Sequence, residues 1–227
     1  MKYNNIVRGQ FIARDNRFIA RVNVKGKEEV CHVKNTGRCR ELLTCGAEVY
    51  LELSSNPQRK TRYSLIAVKK GNILINMDSQ APNKVVEESI NKIFDNISYL
   101  RREYKFLNSR FDFYMEQEDI KSFIEVKGVT LENNGVVSFP DAPSERAVKH
   151  LDELIKAVEM GYKAYVIFVV QMKGINYFVP NYENHRAFAD KLTEAEERGV
   201  NILAFDCIVT ADELKIDERV EVCLRKN

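Results

Sequence analysis

The sequence lacks the segments that mark membrane, secreted and disulfide-bonded proteins. No run approaches the roughly 18 apolar residues that span a bilayer, and the first residues form no apolar signal core. The five cysteines are odd in number and include no Cys-x-x-Cys pair, which disfavours a disulfide framework and a structural zinc site. We therefore expect a cytoplasmic protein with reduced cysteines and no membrane partner.

Several catalytic motifs are also missing. There is no Gly-x-x-x-x-Gly-Lys-Ser/Thr loop and no Gly-x-Gly-x-x-Gly turn, which disfavours nucleotide and dinucleotide chemistry. There is no Gly-x-Ser-x-Gly, and three histidines leave little room for a serine hydrolase triad.

What the sequence does contain is an uneven distribution of charge. Residues 1–80 carry 15 Lys and Arg against 7 Asp and Glu, whereas residues 81–227 carry 20 against 26. A basic part joined to an acidic part indicates a polyanion partner, such as nucleic acid, for the first. The alternative is that the excess positive charge of residues 1–80 only promotes solubility.

The first 80 residues have the pattern of a small all-β domain. Short strands are predicted at 6–13, 18–24, 28–33, 48–53, 62–69 and 72–77, with a short helix over Arg38–Leu43. This is typical of a small barrel, either an OB-fold or an SH3-like one. The segment Asp78–Asn83 is predicted to be a linker.

Residues 81–227 read as an α/β domain. Apolar residues at helical spacing follow the linker, and a second helix is predicted between Ser144, as its N-cap, and Gly161. The continuous apolar run 164–170 indicates a strand buried on both faces. A third helix is predicted at 187–198, a strand at 200–205, and an edge strand or hairpin at 213–223.

The most informative stretch is Arg110–Lys127, which predicts a β-hairpin with its midpoint between Glu118 and Asp119. Strict alternation puts Phe111, Phe113 and Met115 on one face. The same register places Asp112 opposite Glu125, with Lys127 two residues further along.

Two carboxylates opposite each other on a sheet repel, unless a cation lies between them. Hard cations such as Mg²⁺ or Mn²⁺ take carboxylate ligands, and a nearby lysine can orient water or stabilise charge on a phosphate. Asp112, Glu125 and Lys127 therefore suit phosphodiester cleavage. The alternative is an ordinary solvated strand face.

These residues also resemble a known pattern. Asp112…Glu125-Val126-Lys127 is similar to the PD-(D/E)XK nuclease signature, with Phe111 in place of its proline. Three blocks together resemble the sugar fermentation stimulation protein A (SfsA) family over nearly the whole chain: His32–Leu43, Phe123–Leu131 and Phe139–Arg146 with Lys149-His150-Leu151. The chain departs from the family pattern near Asn184-His185 and at Ala147.

The resemblance implies an all-β plus α/β protein: an N-terminal OB-fold barrel, placed at 1–80, and a restriction-endonuclease-like (PD-(D/E)XK) α/β/α domain at 81–227. It implies non-specific DNA binding, with RNA also possible. It implies Asp112, Glu125 and Lys127 as catalytic residues, with Mg²⁺ or Mn²⁺ held by Asp112 and Glu125.

Other residues are candidates for supporting the metal site. Glu103 precedes the motif strand, and a salt bridge to Arg101 or Arg102 is its alternative role. Asp141 is either a third acidic ligand or a loop cap. Gln171 ends the buried strand, where the nuclease fold often places a polar residue beside the lysine.

Candidates for nucleic-acid contacts lie in two places. Lys34, Arg38 and Arg40 flank an Asn-Thr-Gly turn that suits an anion, or that is a plain capped turn. Arg146, Lys149 and His150 lie at a predicted helix N-terminus, and a buried core role is the alternative for His150. Phe18 and Tyr63 are expected in the core rather than stacked on bases.

Three functions are compatible with this pattern. The first is a metal-dependent nuclease. The second is a non-enzymatic, non-specific DNA-binding regulator of sugar (maltose) metabolism with a vestigial nuclease site. The third is a metal-binding regulator of a small ligand.

Overall fold

A computed structural model describes residues 1–35 and 37–224, and these fold into a β-barrel followed by an α/β unit. Thr36, in the centre of the predicted anion-binding turn, lies outside the described residues. Among the described residues, no helix is long and apolar enough to cross a membrane.

The barrel is formed by the first five of six strands: β1 (Ile6–Asn16), β2 (Ile19–Val24), β3 (Lys27–Val33), β4 (Glu48–Leu53), β5 (Tyr63–Lys70) and β6 (Ile73–Asn76). β1 pairs antiparallel with β2 and β4, and parallel pairing of β3 with β5 closes the ring. Alternate residues of β2 point into the barrel, as the period of two requires.

The helix predicted over Arg38–Leu43 is wrong. Cys39 has a left-handed backbone with φ of 46°, which a continuous right-handed helix does not tolerate. The segment forms turns instead, and Leu42 and Leu43 are buried in the core.

The second unit contains three helices: α1 (Ala81–Ile93), α2 (Glu145–Glu159) and α3 (Tyr182–Glu197). Its strands are β7 (Ile97–Phe106), β8 (Ser109–Gln117), β9 (Ile120–Val129), β10 (Leu131–Asn133), β11 (Val136–Phe139), β12 (Lys163–Val170), β13 (Tyr177–Pro180), β14 (Asn201–Val209), β15 (Leu214–Arg219) and β16 (Glu221–Val222).

The main sheet has the order β15-β14-β12-β9-β8-β7, and β10, β11, β13 and β16 form a smaller sheet. Apolar residues of α1 pack on one face of the main sheet with Val126 and Ile167. Residues of α2 and α3 pack on the other face with Val166 and Phe168. This three-layer arrangement confirms the predicted α/β/α fold class.

No free linker joins the two units. Asp78 is buried, and α1 begins at Ala81, inside the segment that was predicted to be a linker. The Asn76 N–H donates to the Gln171 carbonyl at 2.9 Å, so β6 is bonded to the second unit. One apolar core runs continuously through the barrel and the α2–α3 face. The predicted domain boundary at 80/81 stays a prediction.

Candidate metal centre

The hairpin of β8 and β9 has the predicted register. Gln117 pairs with Ile120, and the ladder continues to Phe113 opposite Ile124. The same offset would place Asp112 opposite Glu125, but regular pairing ends one residue earlier. At Asp112 a side-chain hydrogen bond replaces the backbone pairing, because Oδ2 accepts from the Val126 N–H at 2.7 Å.

The strict alternation predicted for β8 is wrong at this position. Phe113 and Met115 pack under α1, but Phe111 packs on the opposite face with Phe123. On the other side of β8, pairing of Arg102 with Phe113 and of Tyr104 with Phe111 leaves Asp112 opposite Glu103, whose φ is 53°. An irregularity at Asp112 and Glu103 therefore resets the alternation.

Asp112 is held in place by two donors. Besides the Val126 N–H, the Asn83 amide of α1 donates to Oδ1 at 2.6 Å. Burial, followed by repulsion from Glu125, raises the Asp112 pKa to about 6. Asn83 was not predicted as a site residue because it was assigned to the linker. Pro82, one position earlier, is a helix-start signal that marks this turn as the beginning of α1.

Glu125 is buried and is held through one oxygen only. Its Oε1 accepts from the Lys127 ammonium and from His150 Nδ1, the latter at 2.5 Å. Burial favours the protonated form, but Lys127 and His150 outweigh this effect and hold the Glu125 pKa below its ordinary value. The second oxygen, Oε2, is buried without a hydrogen-bond partner in the described part of the chain. An oxygen of this kind is available to a cation.

His150 is placed differently from the prediction of a nucleic-acid contact. The ring is buried, with Nδ1 on Glu125 and Nε2 accepting from Arg146 Nε at 3.3 Å. Both ring nitrogens are therefore engaged within the protein, and the hydrogen bonds correspond to the Nδ1–H tautomer. The residue orients Glu125 instead of contacting a phosphate directly, and it reaches Glu125 because α2 packs on β9.

Ser144 caps α2 as predicted, accepting from the Ala147 N–H at 3.3 Å. Arg146 is exposed in the first turn of that helix. Lys149 is exposed as well, but it donates to the Asn108 carbonyl at 3.2 Å, in the turn between β7 and β8.

The three predicted supporting residues do not join Asp112 and Glu125. The Glu103 side chain is exposed and its Oε2 lies 3.9 Å from Arg110 Nη1, not from Arg101 or Arg102. Asp141 interacts with the backbone N–H groups of its own loop, which matches the alternative role of loop cap. The Gln171 amide donates to Asn76 and to the Asp78 carbonyl at 2.9 and 3.1 Å.

Gln171 nevertheless lies next to the motif strand. Its Oε1 would be 2.5 Å from a Cβ at Gly128, the residue after Lys127, and Pro82 Cγ would be 2.8 Å away. Glycine is therefore required at 128 for Gln171 and Pro82 to pack there, and Gln171 supports the backbone beside Lys127.

Three cavities that share lining residues follow the joint between the barrel and the second unit, and together they are called the groove. A cavity of about 470 Å³ includes Lys34, Asn83, Lys84 and Arg102 in its wall. It shares Ser79 with a second cavity of about 150 Å³, which reaches Gly128, Asp141 and Gly37. Gly37 also lines a third cavity of about 370 Å³, whose wall contains Arg38 and Arg40. Asn83, which lines the first cavity, is the residue that connects this groove to Asp112.

Lys34, predicted to contact nucleic acid, is partly used within the protein. Its ammonium lies 3.2 Å from Asp78 and 3.5 Å from Glu52. By contrast, Arg38 and Arg40 are exposed.

A separate acidic trio, Asp206, Asp217 and Glu218, has oxygens close enough to share an ion. The Lys173 ammonium already lies among them, within 3.1 Å of an oxygen of each side chain. A lysine of the same chain therefore already occupies the position between the three carboxylates and offsets one of their charges.

Comparison with known proteins agrees with this architecture. Residues 80–213 match the family described as sugar fermentation stimulation protein RE domain, and residues 12–77 match the SfsA N-terminal OB domain. The chain belongs to the sugar fermentation stimulation protein family. A homologue from Clostridium beijerinckii is 58% identical over 226 residues, covering 99% of this chain and 100% of the homologue. One from Desulfitobacterium hafniense is 58% identical over 225 residues, covering 99% of each.

The SfsA family also has a solved structure that resembles this one. SfsA of Pyrococcus furiosus, in complex with Ca²⁺, superposes with a TM-score of 0.87 at 26% identity, covering 98% of this chain and 97% of that one. The barrel is therefore an OB domain and the second unit a restriction-endonuclease-like domain.

Proposed function

We propose that the protein is a divalent-metal-dependent phosphodiester hydrolase that acts on nucleic acid, with Mg²⁺ or Mn²⁺ as the metal. One observation carries this proposal: Glu125 is buried, keeps a lowered pKa, and leaves Oε2 without a donor among the described residues. A second carboxylate, Asp112, lies close enough for its pKa to be raised by Glu125. The Ca²⁺ of the Pyrococcus furiosus relative is a hard cation with the same preference for oxygen ligands.

Asp112 and Glu125 fit such a cation, because both offer carboxylate oxygens. When bound, a divalent cation lowers the pKa of water and neutralises charge on a phosphate. The residues of the chain prepare the site for it. Asn83 and the Val126 N–H fix Asp112, and His150 fixes Glu125. The Lys127 ammonium, released from Glu125 Oε1, can then contact a phosphate oxygen or the attacking water.

The basic barrel supports nucleic acid as the substrate. The exposed arginines Arg38 and Arg40 lie along the same groove as Asn83 and Gly128. Phosphate contacts by such cations give affinity that depends little on sequence. We propose non-specific DNA binding, with RNA as the second substrate to be tested.

The test combines metal binding with cleavage. Mn²⁺ binding is measured by calorimetry, and cleavage of labelled DNA and RNA by gel, for the wild type, E125Q and E218Q. E125Q should lose both Mn²⁺ binding and cleavage. E218Q is the matched control, because it removes one carboxylate from the acidic trio around Lys173 and should change neither.

Mn²⁺ binding that is lost in E218Q but kept in E125Q would show that the metal binds at the acidic trio and not at Glu125. Nucleic-acid binding by the wild type without cleavage in Mg²⁺ or Mn²⁺ would instead favour a non-enzymatic DNA-binding protein.

A further inference from the structure

We infer that the turn 16–18 and the segment 37–40 of the barrel form a binding site for single-stranded nucleic acid, in which Phe18 stacks on a base and Arg17, Arg38 and Arg40 contact phosphates. The inference rests on the proposed function, because it specifies the strandedness of the substrate that enters the groove.

Phe18 is exposed to solvent, although it is a large apolar residue. The sequence pattern assigned it to the core, but 49% of the residue is exposed. Its backbone is fixed on both sides, since its N–H donates to Asn16 Oδ1 at 2.9 Å and its carbonyl accepts from the Val33 N–H at 2.8 Å. The ring is therefore presented from a rigid turn. A single exposed apolar residue is common on protein surfaces, so its surroundings decide its role.

Arg14 builds those surroundings. Its guanidinium donates to five backbone carbonyls, at distances from 2.6 to 3.3 Å; these belong to Asn16, Arg17, Asn35, Gly37 and Arg38. A guanidinium has five N–H donors, so none remains for a ligand. Arg14 thus ties the turn that carries Phe18 to the loop that carries Arg38. Its role could not be read from the sequence, which only shows another arginine on a strand.

Three other arginines surround this structural one. Arg17, Arg38 and Arg40 are exposed and line the cavity of about 370 Å³. In the described part of the chain, none of the three has an acidic group within ion-pair distance, whereas Arg8, Arg21, Arg102 and Arg198 each have one. Three cations grouped around a fourth repel one another, and a polyanion relieves that repulsion.

An exposed aromatic residue on a turn that Arg14 ties to the segment of Arg38 favours a single strand over a duplex. The face of an unpaired base is available for stacking, while bases in a duplex already stack on their neighbours. The arginine cavity shares Gly37 with the middle cavity of the groove, which continues past Gly128 to Asn83. We propose that a strand held at Phe18 extends along these cavities to Asn83, the donor to Asp112.

The test uses the absence of tryptophan from the chain. In F18W the new indole is the only one, so its fluorescence reports stacking directly. It is titrated in EDTA, which prevents cleavage, with an oligo(dT) of about 12 nucleotides, within the span of one OB-fold. A strand of the same length with abasic sites is the control ligand. We expect quenching by oligo(dT) and little quenching by the abasic strand.

Anisotropy titrations with F18A complete the test, with Y177A as a matched control, because Tyr177 is an exposed aromatic residue that lines a different cavity. F18A should bind oligo(dT) at least about fivefold more weakly, the lower end for one stacked base. Its binding to a blunt duplex should not change, and Y177A should bind both as the wild type does. A circular dichroism melt confirms that each variant is folded.

Equal quenching by both strands, or unchanged oligo(dT) affinity in F18A, would overturn the inference. These binding measurements do not depend on catalysis. If the wild type cleaves no substrate, while F18W shows the quenching and F18A shows the affinity loss, the proposed hydrolase is refuted and the single-strand site stands. If the wild type cleaves nucleic acid but the Phe18 variants bind oligo(dT) as the wild type does, the proposed hydrolase stands and the single-strand site is refuted.

Discussion

On the β8–β9 hairpin, Glu125 is buried and contacts Lys127 and His150, while Asp112 is half-buried beside it. On the barrel, Arg17, Arg38 and Arg40 are exposed, without an acidic partner at ion-pair distance among the described residues. Charges of the first kind interact strongly and respond to protonation. Charges of the second kind act on distant anions and are screened by salt, with a Debye length of about 8–10 Å.

Under the proposed function, this difference separates the capture of a polyanion, at the barrel, from the chemistry on it, at the hairpin. Changes at the hairpin should affect rate, metal binding and pH dependence. Changes at the barrel loop should affect affinity and its salt dependence, and leave the rate at saturation alone. The substitutions D112N, H150F and R40A test this separation, and G128A tests the packing of the strand beside Lys127.

The largest effect is expected for D112N. Loss of one metal-binding carboxylate should reduce cleavage by about 100-fold or more. The stability of D112N relative to the wild type should depend on pH. The raised Asp112 pKa means that the folded state binds its proton more tightly than the unfolded state, so this group lowers stability as pH rises from 3.8 to about 6.

Between pH 3 and pH 7 the unfolding free energy of D112N should rise relative to that of the metal-free wild type by about 1–3 kcal/mol, because only the wild type has to ionise a buried group at 112. Urea unfolding at several pH values in EDTA measures it. A difference between the two proteins that does not change between pH 3 and pH 7 would contradict the raised pKa.

The second effect is expected for H150F, which keeps a ring but removes the donor to Glu125. The Glu125 pKa should rise, and cleavage should fall by about 10–100-fold, as is typical when a residue that orients a metal ligand is lost. The acidic limb of the pH–rate profile should shift upward. A lower rate with an unchanged profile would mean that His150 only fills space.

The third effect is expected for G128A. The added Cβ would approach Gln171 Oε1 and Pro82 Cγ within 2.5 and 2.8 Å, so one of the partners must move. We expect a loss of about 1–3 kcal/mol in the free energy of unfolding, measured by urea titration. G161A, in the open turn after α2, tests whether any glycine loss has the same cost. It should be destabilised through backbone strain alone, because its φ is 88°.

The smallest effect is expected for R40A. Removing one phosphate contact should flatten the slope of log K against log salt by about 0.7–0.9, with affinity reduced severalfold at low salt. Anisotropy with single-stranded DNA over a range of salt concentrations measures this. R198A is the control, because Arg198 is ion-paired to Glu159 on the helical face, and it should leave the slope unchanged. A lower cleavage rate of R40A at saturating substrate would contradict the separation of the two regions.

The sequence permitted a good prediction wherever local periodicity decides the structure. The hairpin register followed from a polar turn between two apolar runs, and the Ser144 cap followed from a helix-start signal. Failures occurred where distant groups override the local pattern. Phe111 changes face because Asn83 and Val126 fix Asp112, and turns replace the helix at 38–43 where Cys39 adopts a left-handed backbone and Arg14 binds the preceding loop.

The candidate site shows the same limit. Asp112, Glu125 and Lys127 could be proposed from spacing on one hairpin, because their separation in sequence is short. The contacts of His150 and Asn83 depend on how α2 and α1 pack on the sheet, and no pattern within either helix specifies them. Phe18 looked like a core residue because hydrophobicity alone does not distinguish a buried ring from a displayed one.

The buried Asn76–Gln171 bond and the burial of Asp78 have a mechanical consequence. A hinge rotation of the barrel about residues 76–83 would break this hydrogen bond and open the shared core. The relative position of the barrel and the second unit is therefore fixed by buried contacts, and a ligand that enters the joint meets walls that are already in place.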